Sequence, residues 1–171
     1  LKSLTPIKKN NQRLNLHRLI LPESSIKTLI LDLDETLIHA DFDKTMENHD
    51  HIVNFSTNGE NHSVGIFIRP GLFDFLSKAS EHFEIIIFTA SVQDYANAVL
   101  NYLDPENRIF KLRLFRESCI NVNDQLYIKD LRIFVNRKLE DLIMVDNSIY
   151  SFSNQLSNGV LINSFYNNKE D

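Results

Sequence analysis

The chain has 171 residues, 43% of them hydrophobic, which is enough apolar material for one well-buried domain and too little for two. Its net charge of −5 argues against direct binding of duplex nucleic acid, because such binding needs a basic surface that neutralises phosphates. Cys119 is the only cysteine, so the chain cannot form an internal disulfide. We therefore expect a reducing compartment, nuclear or cytoplasmic.

The ends of the chain carry little information about targeting. No apolar run approaches the roughly 18 residues that a membrane-spanning helix needs, and no signal peptide opens the sequence. Because the chain begins with Leu1, we expect a fragment of a longer product, and membrane anchoring through a missing flank stays open. Residues 1–25 are predicted to be an N-terminal arm and residues 26–171 the domain itself, with a monomer as the default expectation.

The first predicted strand is the apolar run Thr28–Leu31, which ends in two aspartates one residue apart, Asp32 and Asp34. Open α/β sheets place their chemistry at the carboxyl ends of their strands. An isolated pair of aspartates at such a position is commonly a turn or helix cap. The interpretation of this pair therefore depends on what the other strands deliver.

An insertion follows the first strand. Residues 40–50 are polar and predicted to be a loop, and two β-prone segments, 52–57 and 63–68, flank Asn58-Gly59. That dipeptide is the strongest short-range signal for a β-hairpin. We therefore predict an inserted hairpin that is separate from any parallel sheet.

The remaining chain alternates between strands and helices. Continuous apolar runs predict buried strands, and apolar residues at helical spacing predict helices. The elements are a helix over 72–83, a strand over 84–89, a helix over 92–103, a strand over 109–115, a hairpin over 119–128, a strand over 142–145 and a short strand over 160–162. This order predicts an α/β fold, a Rossmann-like three-layer parallel sheet with an inserted β-hairpin and no large cap domain.

Three of the predicted strands end in polar side chains. Asp32 and Asp34 stand at the end of the first strand, Thr89 and Ser91 at the end of the strand over 84–89, and Asp146 and Asn147 at the end of the strand over 142–145. Right-handed crossovers bring these ends to one edge of the sheet, where the carboxylates have no obvious cationic neighbour. A hard divalent cation is the usual remedy for such repulsion. Magnesium fits the oxygen ligands, and no Cys or His spacing favours zinc.

The same edge suits phosphoryl transfer. Asp32 is the candidate nucleophile, which would form an aspartyl-phosphate, and Asp34 is the candidate acid and base. Thr89, Lys129 and Arg116 are the candidate phosphate-binding groups. Arg116 could equally be a surface arginine on a strand.

A set of motifs along the chain resembles the FCP/SCP-type protein phosphatases of the haloacid dehalogenase superfamily. The motifs are D-L-D-E-T-L-I-H (Asp32 to His39), R-P-G (Arg69 to Gly71), F-T-A-S (Phe88 to Ser91), Y-A (Tyr95-Ala96), L-F-R-E-S-C (Leu114 to Cys119), K-D-L (Lys129 to Leu131) and V-D-N-S (Val145 to Ser148). The resemblance implies a haloacid dehalogenase-like fold, Mg²⁺ dependence and a phosphoprotein substrate, most famously the C-terminal domain of RNA polymerase II.

The resemblance also implies roles for individual residues. It makes Asp32 both nucleophile and metal ligand, and it lets Asp34 offer its backbone carbonyl to the metal. Thr89 and Lys129 would hold the phosphoryl group. Asn147 would bind the metal directly, and Asp146 would support it through water.

A hydrophobic pocket for a proline-containing peptide is a further implication of the resemblance. A small inserted hairpin cannot form a large lid, so the site is expected to stay open to a protein. The positions that match this pocket are Phe42, Phe55, Thr57, Val64 and Val92. Ser91 and Arg116 are two further substrate-binding candidates. Core packing is an equal alternative for the five pocket residues.

Two other functions remain open from the sequence. Relatives in mitochondrial import keep this fold without catalytic residues, so a non-catalytic interaction module is one alternative. A small-molecule phosphatase of the same superfamily is the other. The presence of Asp32, Asp34 and Lys129 argues against the first, and the missing large cap argues against the second.

Overall fold

The computed structural model describes residues 18–43, 45–123 and 125–171. The elements in these ranges are β1 (Lys27–Leu31), β2 (Ile38–Asp41), β3 (His51–Thr57), β4 (Glu60–Ile68), α1 (Leu72–Ser80), β5 (Phe83–Phe88), α2 (Gln93–Leu103), β6 (Phe110–Leu114), β7 (Ile120–Asn121), β8 (Tyr127–Ile128), β9 (Leu142–Asp146) and β10 (Gly159–Leu161). None of the helices in these ranges is long and apolar enough to cross a membrane.

The central sheet has five parallel strands in the order β10-β9-β1-β5-β6. Strand β1 therefore lies in the middle, paired with β9 on one side and β5 on the other. Residues 28–31 of β1 are all buried, as a parallel strand covered on both faces requires. The predicted α/β fold with a parallel sheet is confirmed.

Different elements cover the two faces of this sheet. On one face, Leu29, Leu31 and Ile87 pack with the buried sides of α1 and α2 and with the inserted strands. On the other face, Ile30 and Ile86 pack with residues of short 3₁₀ turns and loops, among them Leu131, Ile133, Phe134 and Phe152. These layers hold β1 rigidly and so fix the position of its carboxyl end.

The insertion is a three-stranded antiparallel sheet in the order β2-β4-β3. Strands β3 and β4 form the predicted hairpin, and Asn58 and Gly59 both have positive φ, 52° and 82°, as the mirror-image turn between them requires. The predicted loop over 40–50 is wrong at its start, because β2 pairs with residues 65–68 of β4. The reason is that the second edge of β4 needs backbone partners, a demand that the local sequence does not reveal.

Two smaller predictions concern the ends of the chain and the second hairpin. Strands β7 and β8 confirm a hairpin over 119–128, although its turn residue Asp124 lies outside the described residues. Residues 1–17 of the predicted arm also lie outside them. The described end of that arm contacts the domain, since the backbone N–H of Leu19 donates to the carbonyl of Ile133 at 2.8 Å and Leu21 is buried.

Candidate active site

The carboxyl ends of β1, β5 and β9 open into one cavity of about 340 Å³. Because β1 is hydrogen-bonded to both other strands, the polar residues that follow all three meet at one edge of the sheet. The predicted site residues that line this cavity are Asp32, Asp34, Thr89, Ser91, Arg116, Lys129, Asp146 and Asn147. The cavity also includes Glu35 and Tyr127, which sequence reasoning did not single out.

Lys129 lies between two of the aspartates. Its ammonium donates to Oδ1 of Asp32 at 2.5 Å and to Oδ2 of Asp146 at 2.6 Å, and its side chain is only 2% exposed. Burial lowers the pKa of Lys129, but the charges of Asp32 and Asp146 outweigh burial and raise the pKa overall. The expectation that these carboxylates have no cationic neighbour is therefore wrong. Lys129 follows β8 of the second hairpin and not a strand of the central sheet, so the pattern of the parallel strands did not reveal that it pairs with these carboxylates.

The second oxygen of Asp32 faces Thr36 and Asn147. Oδ2 of Asp32 accepts a hydrogen bond from the Thr36 hydroxyl at 2.9 Å, and Oδ1 of Asn147 lies 3.4 Å from the same hydroxyl. Thr36 has one hydroxyl proton and donates it over the shorter distance, so the Asn147 oxygen keeps its lone pairs available. Thr36 was missed as a site residue, although its position four residues after Asp32 in the D-L-D-E-T motif was a usable signal.

These oxygens form a set that fits a hard cation. Within the described part of the chain, no three His, Cys, Asp or Glu side chains cluster as a metal site. An ion here would therefore depend on the Asn147 amide, on backbone carbonyls and on water, in addition to Asp32. Mg²⁺ binds in this way, through one or two carboxylates and several waters.

Asp34 has different partners from Asp32. Its two oxygens accept hydrogen bonds from the Ser91 hydroxyl at 2.5 Å and from the Tyr95 hydroxyl at 2.6 Å. Burial raises the pKa of Asp34, and the two hydrogen bonds only partly oppose that rise. Burial and the nearby Asp34 charge also raise the pKa of Tyr95, so Tyr95 stays protonated as a donor. Asp34 is therefore suited to hold a proton that it can transfer.

The loop after β5 shapes the wall opposite Asp32. The Thr89 hydroxyl accepts from the backbone N–H of Ser91 at 3.0 Å, which fixes both side chains at the cavity. The Arg116 guanidinium donates through Nε to the carbonyl of Ala90 at 2.7 Å and lies 5.3 Å from the centre of the Tyr127 ring. Arg116 is thus held at the edge of the cavity by this loop and by β8.

The five predicted pocket residues are placed unequally. Phe42 is 58% exposed, and its ring lies 5.1 Å from that of Tyr95, while the Phe55 ring lies 5.7 Å from Tyr95. Val92 is also exposed and caps the start of α2. Val64 is buried in the core and Thr57 ends β3 beside the hairpin turn. The structure therefore brings Phe42 and Phe55 together beside Tyr95, and it does not bring Val64 to a surface.

A parallel α/β sheet that carries two aspartates after its central strand, with a lysine and an asparagine at the same edge, defines a haloacid dehalogenase-like domain. A family model described as NLI interacting factor-like phosphatase matches residues 27–171. The chain belongs to this family, and the resemblance to FCP/SCP-type phosphatases is confirmed.

Individual relatives agree with this assignment. The chain is 44% identical over 146 residues to a probable C-terminal domain small phosphatase of Dictyostelium discoideum, covering 85% of this chain and 46% of that protein. It is 38% identical over 157 residues to the human CTD small phosphatase-like protein, covering 89% and 55%. The solved structure of Fcp1, an essential RNA polymerase II CTD phosphatase, superposes with a TM-score of 0.71 at 25% identity, covering 82% of this chain and 42% of that one. The chain thus spans about half the length of these relatives.

Proposed function

We propose that this protein is a Mg²⁺-dependent protein serine/threonine phosphatase that acts through an aspartyl-phosphate intermediate. The observation that carries the proposal is the pairing of two aspartates in one cavity with opposite environments. Asp32 is bound to the buried cation Lys129, whereas Asp34 is bound to two hydroxyls and has a raised pKa. One carboxylate is thereby suited to attack and the other to transfer protons.

In the first step, a carboxylate oxygen of Asp32 attacks the phosphorus of a phosphoserine. An Asp32–phosphorus bond forms as the bond from phosphorus to the serine oxygen breaks, and Asp34 donates its proton to that oxygen. Thr89, Lys129 and Arg116 hold the phosphoryl oxygens. Lys129 can do so because its ammonium lies in the cavity, 2.5 Å from Asp32.

In the second step, water attacks the phosphorus of the aspartyl-phosphate. Asp34, now deprotonated, accepts a proton from that water, and the bond between phosphorus and Asp32 breaks to release inorganic phosphate. Ser91 and Tyr95 hold Asp34 in place for both proton transfers, since each donates to one of its oxygens. The two steps return both aspartates to their starting states.

The Mg²⁺ ligands in this proposal are Asp32, Asn147 and the backbone carbonyl of Asp34, with Asp146 acting through water. When bound, the ion would neutralise the negative charge that gathers on the phosphoryl group. The available lone pairs on Asn147 Oδ1 support this assignment. The backbone N–H of Ser148 donates to Asp146 at 2.8 Å and helps to hold that carboxylate behind the ligands.

We propose phosphoserine in a proline-containing protein segment, such as the RNA polymerase II C-terminal domain, as the substrate. The described insertion is a three-stranded sheet that leaves the cavity open. The exposed Phe42 ring and the Phe55 ring pack against Tyr95, whose hydroxyl contacts Asp34. An apolar residue beside the phosphoserine would meet these rings. The names of the relatives, CTD small phosphatases and the fission yeast RNA polymerase II CTD phosphatase Fcp1, support this choice.

The test is phosphate release from phosphoserine peptides of the polymerase repeat, with Mg²⁺ and with EDTA. We expect turnover only with Mg²⁺, and its abolition by Asp32→Asn. Asp74→Asn, an exposed aspartate on α1, is the matched control and should retain turnover. Peptide binding without turnover in the unaltered protein would favour a non-catalytic module instead. Preferred hydrolysis of a sugar phosphate would favour a small-molecule phosphatase.

A further inference from the structure

The segment after β10 contacts both sides of the proposed metal site. The Asn147 amide donates through Nδ2 to the Ser164 hydroxyl at 3.0 Å. The backbone N–H of the next residue, Phe165, donates to the carbonyl of Glu35 at 2.8 Å. Two consecutive residues therefore bind the loop after β9 and the loop after β1, which carry Asn147 and Asp34.

This segment is anchored firmly enough to position its partners. The Phe165 side chain is fully buried, and the Arg69 guanidinium lies 5.7 Å from the centre of its ring. Arg69 also donates to the carbonyl of Thr36 at 3.0 Å and pairs with Asp171 at 2.6 Å. The Glu35–Thr36 turn, Arg69 and the tail are thus joined in one packed unit, and Ser164 has a fixed position relative to Asp32.

The Ser164 contact decides which way the Asn147 amide faces. With Nδ2 bound to Ser164, the carbonyl oxygen Oδ1 points toward Thr36 and Asp32. Rotation of the amide by half a turn would put two N–H donors where a cation needs an oxygen. Residues that orient metal ligands in this way commonly change metal affinity by about 10- to 100-fold when they are replaced.

We infer that Ser164 is a positioning residue of the Mg²⁺ site, which keeps the Asn147 carbonyl oxygen directed at the metal. The inference depends on the proposed function, because it takes Asn147 as a metal ligand. It adds a residue that lies outside the motifs of the family resemblance, the last of which ends at Ser148, and 17 positions after Asn147.

The experiment measures Mg²⁺ affinity by isothermal titration calorimetry, together with the Mg²⁺ dependence of phosphate release. We expect Ser164→Ala to weaken Mg²⁺ binding about 10-fold or more, with kcat largely restored at saturating Mg²⁺. Ser164→Thr keeps a hydroxyl and should bind Mg²⁺ nearly as the unaltered protein does. Ser153→Ala, at an exposed serine, is the matched control and should change neither quantity.

Thermal unfolding in EDTA separates positioning from general stability. A Ser164→Ala variant with unchanged metal-free Tm and weakened Mg²⁺ binding supports the inference. Unchanged Mg²⁺ affinity in this variant would overturn it, as would a fall in metal-free Tm with no specific loss of metal binding. If the unaltered protein binds no Mg²⁺ at all, the proposed function itself fails. If the unaltered protein and Ser164→Ala bind Mg²⁺ equally well, only the inference about Ser164 fails.

Discussion

Asp32 and Asp34 have sharply different surroundings in the cavity, although only one residue separates them in the sequence. On the Asp32 side, the carboxylate meets the buried ammonium of Lys129 at 2.5 Å, and Lys129 is shared with Asp146. On the Asp34 side, the partners are two neutral hydroxyls at 2.5 and 2.6 Å. Leu33, which stands between the two aspartates in the sequence, is fully buried in the hydrophobic core.

This difference shows how one residue type acquires two chemical roles. A neighbouring cation favours the charged form of a carboxylate, whereas removal from water without a cation favours the protonated form. Asp34 has the raised pKa that the second environment produces. The partners that create the contrast come from α2, the loop after β5 and the loop after β8, so the fold and not the local sequence assigns the roles.

The strongest test of this contrast is Asp34→Asn. We expect kcat to fall by about 10²- to 10⁴-fold, because the leaving serine oxygen and the attacking water lose their proton-transfer partner. Mg²⁺ binding should persist, since only the backbone carbonyl of Asp34 is a proposed ligand, whereas Asp32→Asn should weaken it. Calorimetry and phosphate release on the two variants check this. Equal loss of Mg²⁺ binding in both would contradict the division of roles.

Lys129→Met tests the Asp32 side. We expect a loss of about 3–5 kcal/mol in the free energy of unfolding at pH 7, because two buried carboxylates lose their shared cation. The loss should shrink as the pH falls, because burial raises the pKa of Asp146 and protonation of that carboxyl removes its repulsion with Asp32. Urea denaturation from pH 4 to pH 7 measures both effects. Lys111→Met, on the exposed face of β6, should have little effect at either pH.

In the unaltered protein, the stability that Lys129 contributes should be lost at high pH. The pKa of Lys129 is raised in the folded state, so its ion pairs contribute full stability below the unfolded value of about 10.4. That contribution is lost as the pH rises through the folded pKa. The free energies of unfolding of the unaltered protein and of Lys129→Met should therefore converge as the pH rises. A constant difference between the two at all alkaline pH values would contradict the ion pairs assigned to Lys129.

Tyr95→Phe tests the Asp34 side with a smaller change. Loss of the 2.6 Å hydrogen bond should lower kcat/KM about 10-fold, the effect of one hydrogen bond to a charged group. This hydrogen bond lowers the pKa of Asp34, so its removal should move the alkaline limb of the pH–rate profile to higher pH. Tyr102→Phe, on the same helix and stacked on His51, is the matched control. An unshifted pH–rate profile in Tyr95→Phe would contradict the proposal that Tyr95 tunes the pKa of Asp34.

The smallest expected effect concerns substrate choice beside Asp34. Phe42→Ala should raise KM for a proline-containing phosphopeptide about 3- to 10-fold, the cost of one exposed aromatic contact. Hydrolysis of p-nitrophenyl phosphate should not change, because that substrate does not extend to Phe42. Phe73→Ala, at another exposed phenylalanine on α1, should alter neither the KM for the peptide nor the hydrolysis of p-nitrophenyl phosphate. If Phe42→Ala impaired hydrolysis of both substrates to the same extent, Phe42 would stabilise the structure of the site and would not contribute to peptide binding.

Much of the fold was predictable because its signals are local. Apolar runs marked the parallel strands, and Asn58-Gly59 marked the inserted hairpin. Strand β2 was not predictable in this way, since it forms to pair with residues of β4 that lie 24 to 30 positions later. Val64 pairs with Val53 and is buried, whereas Phe55, two residues further along the same face of β3, is only partly buried. This difference depends on how the inserted sheet packs on the domain.

The sequence by itself determined the residue types at the strand ends: carboxylates after β1 and at the last position of β9, and hydroxyls after β5. It did so because apolar strands and the polar residues that follow them are encoded within a few positions. Only the tertiary structure decided that Lys129 neutralises Asp32 and Asp146, that Tyr95 and Ser91 hold Asp34, and that Ser164 orients Asn147. These contacts join residues 17 to 97 positions apart, and hydrogen bonds at such separations depend on how the chain packs.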